Sequence, residues 1–153
     1  MVALRIFEER AVGHVNLVKL CVGAETVEDL TAWQKMRAGG DPSYEPRHVT
    51  RMWPKREAEV LAGGSLYWVF KGLILARQPI VRFDEVIGED GIRRCGLVLG
   101  REVVLTSPAP RRPFQGWRYL DPADAPRDLP RGRKSETPLP RDLEIALSEI
   151  GIL

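Results

Sequence analysis

The residues with the clearest chemical potential form a short basic segment, residues 47–56, which reads Arg-His-Val-Thr-Arg-Met-Trp-Pro-Lys-Arg. We call it the first basic segment. Alternation in an extended chain would place four of its side chains on one face: Arg47, Val49, Arg51 and Trp53. A guanidinium and an indole on a shared face can hold a phosphate and stack a base, as single-stranded nucleic-acid sites do. The alternative is that its arginines form surface ion pairs with Glu57 and Glu59 while Trp53 belongs to the core.

A second basic segment, residues 111–119, reads Arg-Arg-Pro-Phe-Gln-Gly-Trp-Arg-Tyr. It combines arginines, a hydrogen-bonding amide and three aromatic rings in a stretch with the texture of a loop, where exposed functional residues are often found. The alternative is that Phe114 and Trp117 only attach an irregular segment to the core.

Together the two basic segments predict a non-catalytic module that binds RNA or single-stranded nucleic acid. The side chains predicted to hold phosphates are Arg47, Arg51, Lys55, Arg56, Arg111, Arg112 and Arg118. The side chains predicted to stack or hydrogen-bond bases are Trp53, Gln115, Trp117 and Tyr119. The segments lie about 60 residues apart, so the prediction requires the fold to bring them onto one surface.

Signatures of enzymes are incomplete in this sequence. The chain has two histidines and two isolated cysteines, which cannot build a zinc site of ordinary spacing. Residues 63–65, Gly-Gly-Ser, lack the second glycine of a nucleophile elbow. No glycine pattern fits a phosphate-binding loop. We therefore predict no catalytic residue, no metal and no cofactor.

Two other functions stay open. A small hydrolase with an unrecognised site would use carboxylates, and a deep pocket converging on Asp84, Glu85 or His48 would favour it. A protein-interaction adaptor would use the proline-rich stretch at residues 108–140, which contains eight of the 12 prolines. A large apolar surface patch would favour the adaptor.

Length and composition describe the setting of these residues. A chain of 153 residues with 44% hydrophobic and 29% charged residues suits one globular domain. Residues 44–134 carry 17 Lys/Arg against 11 Asp/Glu, a net charge of +6. No apolar stretch approaches the ~20 residues of a membrane span, and the charged N-terminus is unlike a signal peptide. Cys21 and Cys95 lie in apolar segments and predict buried thiols, so we expect a cytoplasmic protein.

The elements that must position the basic segments follow from periodicity and turn residues. Thr26 predicts the cap of a helix that Gly39 and Gly40 end, with Trp33 on its core-facing stripe. A second helix is expected after Pro54 and a third after Pro140. In residues 65–70, alternation separates Leu66, Trp68 and Phe70 from Tyr67 and Val69. The expected strands are residues 15–22, 48–53, 65–70, 73–87 (with Pro79 marking a bulge, bend or edge position), 94–99 and 103–106, and residues 108–140 are expected to be irregular.

These elements predict an α+β fold with a mostly antiparallel or mixed sheet, about three flanking helices and a curvature that can form a small barrel. Residues 1–13 are expected to be an N-terminal extension and residues 14–153 a single domain.

Five stretches carry a resemblance to a small alphaproteobacterial family of unknown function. They are residues 16–23, 47–56, 63–72, 76–78 and 114–120, and the resemblance covers roughly residues 15–130. It implies no activity, cofactor or catalytic residue. A weaker likeness is to the PUA and ASCH group of RNA-associated small barrels, which implies a PUA-like barrel. In that group a charged motif follows the second helix, whereas this chain has Ser-Leu-Tyr-Trp at residues 65–68.

Overall fold

The computed structural model describes residues 13–130. The elements in this range are β1 (Asn16–Leu20), α1 (Val27–Ala38), β2 (Arg47–Thr50), α2 (Glu57–Leu61), β3 (Ser65–Phe70), β4 (Leu73–Ile87), β5 (Arg93–Leu99), β6 (Val104–Pro110), β7 (Trp117–Leu120) and a 3₁₀ turn at Pro122–Asp124. The predicted α+β class is confirmed. The helix predicted after Pro140 and most of the predicted N-terminal extension lie outside the described residues. Neither described helix is long and apolar enough to cross a membrane.

The seven strands form one mixed sheet in the order β2-β5-β4-β3-β1-β7, and β6 pairs with the first half of β4. The pairing of β1 with β3 is parallel, and the other pairings are antiparallel. The long β4 pairs with β3 and β6 through its first half and with β5 through its second half. Within residues 13–130 no ladder joins β2 to β7, so the sheet is open and a closed barrel is not shown.

Helix α1 begins and ends where the sequence predicts. The Thr26 hydroxyl accepts a hydrogen bond from the Asp29 backbone N–H at 3.0 Å, and the Asp29 carboxylate accepts one from the Thr26 N–H at 3.2 Å. Gly39 then adopts a left-handed φ of 56° that a residue with a Cβ rarely takes. Both predicted ends are therefore confirmed.

Strand β3 runs through the middle of the molecule and is buried along its whole length. Leu66, Trp68 and Phe70 belong to the larger core cluster, on one face of the sheet. Tyr67 and Val69 belong to a smaller cluster on the opposite face. The predicted alternation is confirmed, and it shows that the sheet is covered on both faces.

Two extended segments were wrongly expected to be irregular. Strand β6 continues to Pro110, opposite Leu73 on β4. Proline can occupy such a position where its missing N–H is not needed by a neighbouring strand. Residues 117–120 form β7, antiparallel to β1, because alternating apolar side chains there match the two buried faces of the sheet. Pro79 leaves β4 continuous, and the β4–β5 register shifts just after it, between Ile80 and Arg82, as the predicted bulge requires.

Candidate functional site

The two basic segments do meet in the folded protein. The Trp117 indole Nε1 donates a hydrogen bond to the Met52 backbone oxygen at 3.0 Å. The Arg56 backbone N–H donates to the Tyr119 hydroxyl at 3.0 Å. These contacts join the chain after β2 to strand β7, the two ends of the open sheet.

The tryptophans of the basic segments are used for packing rather than left exposed. Trp117 is only 5% exposed and lies in the larger core cluster. Trp53 is half-buried with its ring edge against Phe83, and its Nε1 donates to Glu57 at 3.0 Å. The Arg93 guanidinium lies 4.0 Å from the centre of the Trp53 ring. The burial of Trp117 matches the alternative in which this indole packs on the core, whereas the half-buried Trp53 stays a predicted stacking residue.

The cations of these segments are divided between different surfaces. Arg56 pairs with Glu59 at 2.7 Å, as the structural alternative anticipated. Strand alternation places Arg118 on the face of β7 opposite to Trp117. There Arg118 and Arg111 both lie near the Phe114 ring, at 5.3 and 5.7 Å. The predicted single surface is thus split, although each segment keeps exposed polar side chains: Arg47, Arg51, Lys55, Arg112 and Gln115.

A cavity of about 490 Å³ opens where α1 faces strands β2, β4 and β5. Of the predicted nucleic-acid-binding residues, it contains only Arg47. Two aromatic side chains, Trp33 and Tyr44, contribute to its wall, together with Val49 and Val98. The cavity has the size of ordinary small-ligand sites, so we treat it as the candidate functional site.

Trp33 was predicted to be a core residue, and this prediction is wrong. The indole is 44% exposed, and the residues that α1 buries are Leu30, Gln34 and Ala38. The Arg37 guanidinium lies 4.5 Å from the centre of the Trp33 ring. The four-residue spacing of Trp33 and Arg37 on a largely polar helix was a signal that could have identified this pair.

Three arginines line the cavity, and they differ in their ion pairing. Arg82 contacts Glu45 at 2.8 Å and Asp84 at 3.0 Å, so these three side chains together carry a net charge of −1. The five charged side chains that line the cavity sum to +1. Arg37 and Arg47 have no carboxylate within 4.0 Å among residues 13–130. The cavity therefore presents two cations that are available to an anionic ligand.

His48 supplies an uncharged polar group to the same wall. Its Nε2 is buried and has no hydrogen-bond partner in the described part of the chain. Its ring meets the Trp68 ring edge to face, with 5.4 Å between centres. Burial, with a smaller contribution from the charge of Lys19, lowers the pKa of His48 from 6.5 to about 4. At neutral pH the imidazole is therefore neutral.

A buried amide network holds α1 in position against the sheet. The side chains of Gln34 and Gln78 exchange two hydrogen bonds of 3.0 Å. Gln78 also accepts from Trp68 Nε1 at 2.9 Å and donates to the Gly100 oxygen at 3.0 Å. Because such a network is satisfied only in one arrangement, it fixes the distance between α1 and the strands that form the cavity.

The family model for a protein of unknown function, DUF1489, matches residues 17–153. The chain belongs to the DUF1489 family. The match contains every residue that lines the cavity, so the candidate site lies within the family domain. No curated protein and no solved structure matches the chain.

The side chains that line this DUF1489 cavity are mainly arginines, carboxylates and aromatic rings. Among the described residues that line it there is no serine, threonine or cysteine to act as a nucleophile. Within residues 13–130 no three His, Cys, Asp or Glu side chains are grouped so as to hold a metal ion. Cys21 and Cys95 are both free thiols, and burial raises the pKa of each to about 11, which disfavours the reactive thiolate.

Proposed function

We propose that this protein binds RNA or another single-stranded nucleic acid and that the cavity holds one nucleotide of the strand. The observation that carries the proposal is the exposed Trp33 in a cavity that is also lined by Arg37 and Arg47, two arginines without an ion-pair partner among residues 13–130. An exposed indole offers a surface on which any base can stack. The two guanidiniums offer paired donors to a phosphate.

The first basic segment extends this site beyond the cavity. Arg47 lines the cavity, and the exposed Arg51 and Lys55 follow it along the chain, with no ion-pair partner among residues 13–130. We assign to these three cations the contacts with successive phosphates. The second basic segment contributes less, because Arg111 and Arg118 lie about Phe114, on the opposite face of β7 from Trp117 and Tyr119.

Two broader expectations accompany the proposal. The contacts of Trp117 with Met52 and of Tyr119 with Arg56 draw the two ends of the sheet together, which supports a PUA-like barrel as the form of the fold. The free thiols of Cys21 and Cys95 support a reducing, cytoplasmic location.

Fluorescence anisotropy with labelled 12-nucleotide RNA, DNA of the same sequence and the corresponding duplex tests the proposal. We expect both single strands to bind more tightly than the duplex. Trp33→Ala should weaken binding about tenfold or more, the usual effect of removing a stacking platform. The slope of log K against log salt should fall by about 0.7 in Arg37→Ala, for one lost phosphate contact.

Matched controls lie on the same helix. Met36 is exposed like Trp33, and Lys35 carries the same charge as Arg37, but neither lines the cavity. Met36→Ala and Lys35→Ala should therefore leave affinity within about twofold of the wild-type value, well below the stacking effect. If the single strands do not bind, or if the controls weaken binding as much as the cavity variants, the proposal is wrong.

A hydrolase is a second candidate because His48 and Asp84, two of the three residues named for it, line one cavity. Asp84 is held by Arg82, however, and Glu85 pairs with Arg93 instead of contributing to the wall. Incubation of end-labelled RNA and DNA with the protein, followed by a denaturing gel, distinguishes the two functions. If the wild-type protein cleaves the strands and His48→Phe does not, the protein is a nuclease rather than a non-catalytic binding module. If the strands stay intact, a nuclease activity is excluded.

A further inference from the structure

A narrow recess of about 20 Å³ adjoins the inner end of the cavity. The recess shares Trp33, Tyr44, Arg47 and His48 with the cavity and extends between α1 and β3. Its volume is that of a single small polar group or one water. A ligand in the cavity would therefore place only one of its edges at this inner end.

The polar groups around the recess differ in whether they are already engaged. Trp68 Nε1 and the amide of Gln34 are bonded to Gln78, as described above. His48 Nε2 is buried and has no partner among the described residues. Trp33, Tyr44 and Arg47 also line the recess, but of its lining side chains only His48 has a buried polar atom without a partner among the described residues, and such an atom gains from a hydrogen bond that a ligand supplies.

We propose that His48 determines which nucleobase the cavity accepts, by a hydrogen bond between its Nε2 and the edge of the base. This inference rests on the proposed binding of single strands. The charges of these side chains give them different roles. Arg37 and Arg47 attract the phosphates of any nucleotide, whereas the uncharged imidazole of His48 forms a directional hydrogen bond. A neutral imidazole nitrogen is either a donor or an acceptor, depending on the tautomer. It therefore discriminates between base edges that present an acceptor and those that present a donor.

Affinity for the four 8-nucleotide RNA homopolymers, measured by anisotropy, tests the selection. The wild-type protein should bind at least one homopolymer about tenfold more tightly than the weakest, a difference typical of one well-placed hydrogen bond. His48→Phe should reduce this range to about twofold while salt-dependent binding persists. His48→Gln, whose amide can reach the position of Nε2, should keep part of the preference.

The outcomes separate this proposal from the proposed function. If no homopolymer binds, both are wrong. If all four bind equally to the wild-type protein, or if His48→Phe keeps the wild-type preference, only the role of His48 is refuted.

A measurement on the unmodified protein covers the case in which His48→Phe does not fold. Titration of ¹⁵N-histidine-labelled protein with the mononucleotide of the preferred base should shift the Nε2 resonance of His48. The resonances of His14, which does not line the cavity, serve as the internal reference. A ligand-saturated spectrum in which His48 does not move would overturn the proposal.

Discussion

Acidification should destabilise this protein through His48 before it acts on most carboxylates. The folded protein holds the imidazole neutral, with its pKa lowered to about 4, whereas the unfolded chain restores the ordinary value of 6.5. Below pH 6.5 the unfolded chain therefore binds more protons than the folded protein. Stability is then lost as the pH falls from 6.5 towards 4, and it is fully present above 6.5.

The magnitude follows from the two pKa values. The full difference of roughly 2.5 pKa units corresponds to about 3.4 kcal/mol. Between pH 7.5 and pH 5 about 2 kcal/mol of this should be lost. The carboxylates with lowered pKa, such as Asp90 at about 2, act mainly below pH 5, where the unfolded chain begins to protonate its acids. Between pH 7.5 and pH 5 the change in the free energy of unfolding therefore comes mainly from the protonation of histidine.

Urea unfolding of the wild-type protein and His48→Phe at several pH values over this interval provides the measurement. The wild-type free energy of unfolding should fall by about 2 kcal/mol more than that of the variant. His14 is present in both proteins, so its contribution cancels in the comparison. Equal losses in the two proteins would show that His48 is not buried as a neutral group, and the account of the cavity wall would fail.

Three further predictions concern packing. Gly64→Ala should cost more than about 4 kcal/mol in chemical denaturation or prevent folding, because a Cβ there would lie 2.2 and 2.6 Å from two backbone oxygens. Gly100→Ala, where the nearest atoms lie at 3.6 Å, should fold with near-normal stability, and similar losses at both glycines would contradict this reasoning. Gln78→Leu should lower the free energy of unfolding by about 3–5 kcal/mol, because it leaves several buried hydrogen-bonding groups without a partner. Gln115→Leu, at an exposed position, should leave the free energy of unfolding unchanged. An unchanged value for Gln78→Leu would disprove the role of the amide network. Cys95, fully buried with a raised thiol pKa, should react with a thiol reagent only after unfolding, so rapid labelling of this residue in the native protein would refute its burial.

Local features of the fold could be predicted from the sequence because neighbouring residues determine them. The capping box of α1 needs only Thr26 and Asp29, three positions apart. The alternation in β3 needs only six consecutive residues. In both cases the structure follows the local pattern, because no distant partner is required to decide it.

The environments of the tryptophans could not be predicted in this way. Trp117 faces the core because β7 pairs with β1, and that pairing joins residues about 100 positions apart in sequence. Trp33 is exposed because α1 turns the polar Gln34 towards the sheet, where Gln78 receives it. A buried glutamine pair can be recognised only when both partners are known. Local patterns therefore predict a core position for Trp33 and leave Trp117 open between stacking and packing, whereas the structure exposes Trp33 and buries Trp117.

An excess of basic residues in a sequence does not by itself locate a binding site, because ion pairing depends on partners that only the fold brings together. Most ion pairs in the described part of the chain lie on the surface, such as those of Arg56 with Glu59 and Arg94 with Asp90. Such pairs contribute about 0–1 kcal/mol each, and they leave little charge to attract a ligand. The relevant quantity is the number of cations that remain unpaired beside an exposed ring and a cavity. Arg37 and Arg47 meet that condition at Trp33, although only Arg47 lies in a basic segment of the sequence. We therefore expect nucleic-acid affinity to depend on the residues of the α1–β2 cavity rather than on the net charge of the chain. Trp33→Ala and Arg37→Ala, compared with the control variants Met36→Ala and Lys35→Ala, test this expectation.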